Sequence, residues 1–166
     1  MNLTKKINEK KILLIKKENI YVFFLIFLIF TLDRISKIEI INNFSTSPFF
    51  INNFINFDLI WNTGIGFGLL SSDSNLIYNS VSVVIGLVIL VLLSICVVSK
   101  KLDKLIFSVI IGGAIGNFYD RLLYKAVPDF IDVHYNNFHW FTFNVADIFI
   151  TLGIVIFLIN GFFVKN

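Results

Sequence analysis

The stretch LIFSVIIGGAIGNFYDRLL, residues 105–123, decides how the rest of the chain is read. It carries no charge from Leu105 to Tyr119, and its length matches the roughly 20 residues a helix needs to cross a bilayer. It then ends on Asp120-Arg121. Ionisable groups in an apolar span are expensive to insert and mark candidate sites. The stretch therefore predicts a transmembrane helix with a functional end.

Three further stretches resemble it in length and character. Spans are predicted at about 20–41, 76–98, 105–123 and 144–164. The composition agrees: 57% of residues are hydrophobic and 15% charged, against about 45–50% and about 25% in soluble domains. The expected architecture is an all-α membrane protein, a bundle of four transmembrane helices forming one membrane-embedded domain over residues 1–166. A signal peptide is weighed for the N-terminus, but no Ala-x-Ala-like site follows the first apolar run, so it reads as a retained helix.

The excess of positive charge (+3) is a topology signal, not a nucleic-acid footprint, because the basic groups flank apolar spans. Lys5, Lys6, Lys10, Lys11, Lys16 and Lys17 precede the first span, and Lys100, Lys101 and Lys104 lie between the second and third. Both places are expected to be cytoplasmic, as is the C-terminus at Lys165. Residues 42–74 carry no Lys or Arg, as expected of a loop outside. Within it, residues 49–61 alternate roughly between apolar and polar, which predicts a small β element. The second outer segment, residues 124–142, reads as a loop or an interfacial helix. The lone Cys96 lies in an apolar run and reads as a small helix-packing residue.

The topology gives every intramembrane charge the same depth. Asp33 and Lys37 end the first span, Asp120 ends the third and Asp147 starts the fourth, so all lie toward the outer side. Asn117-x-x-Asp120 and Asn144-x-x-Asp147 each place an amide and a carboxylate on one helix face. Gly113 and Gly116 share the face of Asp120 and let a neighbouring helix approach closely. Two carboxylates meeting there would share a proton. The ionised member takes a proton from water, and the protonated one hydrogen-bonds a scissile carbonyl and then protonates the leaving amine. Asn117 and Asn144 are candidate donors to the carboxylates or to substrate, and Arg121 a candidate anchor for an outer loop or a lipid headgroup. Blander readings exist: Asp147 as a helix cap, Asp120 with Arg121 as an interfacial ion pair, Asp33 with Lys37 as a self-neutralising pair. Each accounts for one residue and leaves the common depth a coincidence.

Other chemistries fit less well. Ser36-Lys37 are helix neighbours and do not face each other. His134 and His139 with Asp132 are weighed as metal ligands. They lack a helical His-Glu-x-x-His spacing and sit in the expected loop, so they read as ordinary interfacial histidines. Neither a Gly-x-Ser-x-Gly nor a phosphate-binding Gly-Lys-Ser/Thr run occurs, and the glycines at 64, 66 and 68 lack the strand–turn–helix context of a dinucleotide loop.

At these residues the chain closely resembles the bacterial lipoprotein signal peptidases (signal peptidase II, aspartic peptidase family A8). Asp33 to Lys37 resembles the family's Asp-x-x-x-Lys. Asn62-Thr63-Gly64-Ile65-Gly66-Phe67-Gly68 resembles its Asn-x-Gly-x-Ala-Phe-Gly block, with Gly66 for the usual Ala. Residues 112–121 resemble its Gly-Gly-Ala-x-Gly-Asn-x-x-Asp-Arg signature, Val127 to Phe130 the Val-x-Asp-Phe that follows, and residues 143–147 the Phe-Asn-x-Ala-Asp block. Lys125 stands where the family usually has Gly, a residue that readily takes positive φ. The resemblance covers about residues 20–164.

It implies that Asp120 and Asp147 are catalytic, and that Asp33, Lys37, Asn62, Gly113, Asn117, Arg121, Asp129 and Asn144 shape the site or contact substrate. The implied activity is an aspartic endopeptidase of the bacterial cytoplasmic (inner) membrane, with its site at the extracytoplasmic face. It would release the signal peptide of prolipoproteins on the amino side of the diacylglyceryl-cysteine. A small extracytoplasmic β-cradle, contact with membrane lipids, sensitivity to globomycin and a monomeric state go with it, without metal or organic cofactor. Two alternatives are weighed. A small polytopic carrier predicts charges at several depths, whereas the middles of spans two to four are free of them. A rhomboid-like serine peptidase needs a serine motif and a helical histidine that the chain lacks.

Overall fold

The computed structural model describes residues 17–64, 75–136 and 138–163. The expectations about Lys5, Lys6, Lys10, Lys11, Lys16 and Lys165, and about Gly66 to Gly68, lie outside them.

Mostly apolar sequence with few helix breakers gives four long helices: α1 (Lys17–Asn43), α2 (Asn75–Val98), α3 (Lys101–Tyr124) and α4 (Val145–Phe163). All four are long and apolar enough to cross a membrane. They match the predicted spans to within a few residues. The largest difference is at α3, whose first turn takes in Lys104. That lysine is buried, and its Nζ donates to Asn19 Oδ1 on α1.

Burial is inverted relative to a water-soluble bundle. Phe23, Phe24 and Phe27 of α1, Val83, Val84 and Leu87 of α2, and Leu152 and Leu158 of α4 are exposed, while Asp33, Lys37 and Asp120 are completely enclosed. An apolar exterior on this scale suits hydrocarbon as the surrounding solvent.

Helix α3 is the hub and packs against α4, α1 and α2. Without a hydrophobic drive between helices in lipid, close approach through small residues holds such a bundle together. A Cβ on Gly113 would fall 2.5 Å from the Ala146 carbonyl oxygen and 2.9 Å from Ile150 Cγ1 of α4. A Cβ on Gly116 would collide with the Asp33 carboxylate of α1. These two positions bring three helices within hydrogen-bonding distance of one another.

A four-stranded antiparallel sheet closes one end of the bundle, in the order β1 (Phe49–Phe50), β2 (Ile55–Asn62), β3 (Val127–Tyr135) and β4 (Phe138–Phe143). It takes in the connections after α1 and between α3 and α4, so it caps the end where α1 and α3 stop and α4 begins. Strands β1 and β2 fall in the segment whose alternation predicts a β element.

The hairpin β3–β4 corrects the expectation of a loop or interfacial helix over 124–142. Ile131 to Phe143 alternates β-formers with polar residues on either side of Asn136-Asn137, a hairpin pattern. Pro128 and the scattered Asp and His residues mask it. Pro128 is tolerated near the start of the strand, and Asn136, at φ 53°, supplies the positive φ the turn needs. Lys125 caps α3 at φ 59° and ψ 21°. The left-handed conformation for which glycine is suited is thus adopted here by a lysine.

Candidate active site

Near the sheet end, Lys37 of α1 points into the α1–α3 contact. Its Nζ donates to Asp33 Oδ2 at 2.9 Å, to Asn117 Oδ1 at 2.8 Å and to Asp120 Oδ2 at 2.7 Å. An ammonium has three donors, and all three are used. Asn117 and Asp120 meet the same cation, as their three-residue spacing on one helix face requires. The other Asp120 oxygen, Oδ1, lies 2.6 Å from Arg34 Nη1, so Asp120 sits between two cations. Arg34 also lies over the Tyr119 ring, 5.1 Å from its centroid.

Asn117 carries the network across to α4. While its Oδ1 faces Lys37, its Nδ2 donates to Asp147 Oδ1 at 2.8 Å. Asp33 reaches the same place from the other side, its Oδ1 accepting from the Ala146 N–H at 3.0 Å. The start of α4 is a reciprocal cap. The Asp147 N–H donates to Asn144 Oδ1, and the Asn144 N–H to Asp147 Oδ2, both at 3.1 Å. The bland reading of Asp147 as a helix cap is therefore correct as far as it goes, yet only one of its oxygens is used that way. The two aspartates are joined through Lys37 and Asn117.

The sheet adds a third carboxylate. Asp129 on β3 accepts from Asn144 Nδ2 at 2.6 Å and from Asn62 Nδ2 at 2.9 Å. Burial pushes the Asp129 carboxyl up to about 6, with the nearby Asp147 charge adding to the rise and the two asparagine donors opposing it. Asn62 Oδ1 accepts from the Gly64 N–H at 2.8 Å, and Arg121 Nη2 donates to the Gly64 carbonyl at 2.7 Å. Arg121 thus anchors the loop after β2, one of the two roles its position suggests. Tyr78 of α2 donates to the Arg121 carbonyl at 3.2 Å.

Asp147, partly exposed, opens into a cavity of about 440 Å³ between β4 and α4. The cavity is walled by Phe141, Phe143, Ile148, Leu152 and Val155. Ile148, Thr151, Leu152 and Val155 follow helical spacing, so it is an apolar groove running along α4 with a carboxylate at its head.

The sequence and the fold have known counterparts. The family model for signal peptidase II matches residues 25–163. The chain is 46% identical to a lipoprotein signal peptidase of Pelagibacter ubique over 145 residues, 86% of this chain and 87% of that one. The chain belongs to the signal peptidase II family. Further relatives in this family are the lipoprotein signal peptidases of Anaplasma marginale (41% identical, over 80% of this chain and 79% of that one) and Francisella tularensis subsp. novicida (38%, over 70% and 74%). In fold it superposes on a solved bacterial membrane enzyme with a TM-score of 0.72 at 24% identity, covering 84% of this chain and 85% of the other. Membership in the signal peptidase II family makes the chain a membrane peptidase.

Nine of the ten site candidates, Asp33, Lys37, Asn62, Asn117, Asp120, Arg121, Asp129, Asn144 and Asp147, share one hydrogen-bonded network, and Gly113 packs directly behind it. Arg34 is the member the sequence reading passes over. The signal was there, since an arginine beside Asp33 inside a span meets the same criterion that singles out Asp33 and Lys37. Asp132, His134 and His139 lie away from this network, on the β3–β4 hairpin.

Proposed function

We propose that the chain is an aspartic endopeptidase that removes the signal peptide of bacterial prolipoproteins on the amino side of the diacylglyceryl-cysteine, with Asp120 and Asp147 as the catalytic pair. One observation carries this reading. The amide of Asn117 ties together two carboxylates from different helices, bonding Asp147 directly and Asp120 through Lys37, at the head of an apolar groove. The curated relatives named lipoprotein signal peptidase support the substrate class.

The groove along α4 suits an apolar chain, lipid or signal-peptide core, lying between that helix and β4. The scissile bond then rests beside Asp147. The ionised carboxylate of the pair removes a proton from water as its oxygen attacks the carbonyl carbon. The protonated one hydrogen-bonds the carbonyl oxygen. When the tetrahedral intermediate collapses, the C–N bond breaks and the amine leaves with a proton from the pair. Asp120 is enclosed by Lys37 and Arg34, so substrate engagement requires those side chains to yield. Asp33, Lys37, Asn117 and Asn144 hold the carboxylates. Asn62, Asp129 and Arg121 tie the sheet to the helices, and Gly113 sets the α3–α4 distance. Water is the nucleophile, so the reaction calls for no metal or organic cofactor.

The lysine asymmetry supports cytoplasmic termini and a site at the extracytoplasmic face of the bacterial inner membrane. The enzyme acts as a monomer in contact with membrane lipids, and globomycin blocks it.

The test follows cleavage of a diacylglyceryl-modified prolipoprotein, and of its unlipidated form, by purified wild type, Asp120→Asn and Asp147→Asn. The expected result is cleavage of the lipidated substrate alone by wild type. Each folded variant should lose about 10²–10⁴-fold in rate, the scale on which loss of an acid–base group acts. Near-normal cleavage by either variant refutes the aspartic pair.

A further inference from the structure

The hairpin β3–β4 carries a side-chain cluster that the peptidase chemistry leaves unused. Asp132 and His134 are two apart on β3 and share one face of the sheet, and His139 on β4 pairs directly with His134. Asp132 and His134 are buried, whereas the His139 side chain is 57% exposed. The ligand atoms of the three lie within 4.8 Å of one another. Asp132 Oδ2 is 2.7 Å from His139 Nδ1 and 3.4 Å from His134 Nδ1, and the two imidazole rings stack with centroids 5.3 Å apart.

The decisive atom is His134 Nδ1. It is buried, yet among the described residues it has no hydrogen-bond partner, and it faces the carboxylate and the second imidazole. A buried polar nitrogen without a partner is unfavourable and calls for an occupant. We propose that Asp132, His134 and His139 form a binding site for one divalent transition-metal ion of the zinc type.

The geometry suits such an ion. With metal–nitrogen and metal–oxygen bonds of about 2.0–2.2 Å, a tetrahedral shell has ligand–ligand edges of roughly 3.3–3.6 Å. The Asp132–His134 separation of 3.4 Å already has this length. The Asp132–His139 contact of 2.7 Å has to open by under about 1 Å, and His139 is the solvent-exposed member of the three. Two imidazoles and one carboxylate are a borderline-soft set that favours zinc, copper or nickel over magnesium or calcium. The exposure of His139 leaves the fourth position to water. Because the ligands come from both strands, the ion clips the hairpin just beyond Asp129 on β3 and before Asn144. It is a structural centre for the wall of the site and takes no part in peptide hydrolysis.

By sequence these histidines read as interfacial because they lack a helical His-Glu-x-x-His spacing and fall in an expected loop. Paired strands remove the second ground by fixing all three side chains on one patch without any helical spacing.

The test uses the full chain without a polyhistidine tag, purified in detergent micelles and stripped with a chelator. It is titrated with Zn²⁺ in a calorimeter, and its unfolding midpoint is read with and without the ion. Wild type is expected to bind one Zn²⁺ per chain and to unfold at higher temperature with the ion present. His139→Gln keeps a polar side chain on an exposed strand position and should fold as wild type does. It and Asp132→Asn are each expected to weaken binding by at least about tenfold and to abolish the midpoint shift. Absence of binding to wild type at 100-fold excess ion over protein overturns the site. So does binding that His139→Gln leaves unchanged, which would place the ion elsewhere on the chain.

Discussion

Replacing Lys37 by methionine tests whether one buried ammonium organises the bundle. The change keeps the length and apolar stem of the side chain and removes three donors, to Asp33, Asn117 and Asp120, at 2.7–2.9 Å. Each charge-assisted bond is worth about 1.5–3 kcal/mol net, but the larger effect is what remains. Among the described residues Asp33, fully enclosed, then keeps only the Ala146 N–H and the Arg34 guanidinium at 3.9 Å, whereas Asp120 retains Arg34 at 2.6 Å. Leaving one buried charge of a pair uncompensated costs about 3–5 kcal/mol, and the expected loss lies in that range. Denaturant titration of the purified protein in micelles, followed by circular dichroism, measures it. The double variant Lys37→Met/Asp33→Asn removes the stranded charge while keeping an acceptor for Ala146. It should recover part of the loss, as a coupling of about 0.5–3 kcal/mol between the two positions. A Lys37→Met protein within about 0.5 kcal/mol of wild type, or strictly additive effects in the double variant, refutes the reasoning.

Asp129 predicts a pH dependence with a definite sign. Its carboxyl titrates at about 6 in the folded chain against an ordinary 3.8, so the folded state binds the proton more tightly than the unfolded one. The contribution of Asp129 to stability therefore falls as pH rises from about 4 to about 6, by about 3 kcal/mol. Denaturant titrations across pH 4–7 should show this slope and its loss in Asp129→Asn; the same slope in both proteins contradicts it. Gly113→Ala forces a methyl against the Ala146 carbonyl oxygen, a backbone atom that yields only if α4 moves. A loss of about 1–3 kcal/mol is expected, and an unchanged unfolding midpoint disproves the close contact. Lys125→Gly relieves a left-handed residue worth about 1–2 kcal/mol, less the greater freedom of glycine in the unfolded chain. A net gain of roughly 0.5–1 kcal/mol should appear in the same titration, and a loss of stability counts against the positive φ.

The sequence by itself determined the four spans, because a helix that must satisfy every backbone group within lipid announces itself as a long apolar run. It also determined the two asparagine–aspartate pairs and the glycines beside them, since i, i+3 and i, i+4 spacing fixes a helix face before any packing is known. Residues that rest on a single element, Asp33, Lys37, Asn117, Asp120 and Asp147, were therefore legible.

How they join depends on packing between elements. That Asn117 links Lys37 to Asp147, that Arg34 flanks Asp120, and that Asn62 and Asn144 both hold Asp129 are contacts between residues 67, 30 or 15 positions apart, or on separate helices. No local period encodes such contacts. The β3–β4 hairpin fell between the two cases. Its alternation was present, but Pro128 and the interspersed polar residues hid it until pairing with β2 gave the strand a partner. Strand pairing is a long-range event, and only pairing turned Asp132, His134 and His139 from three scattered polar residues into one cluster.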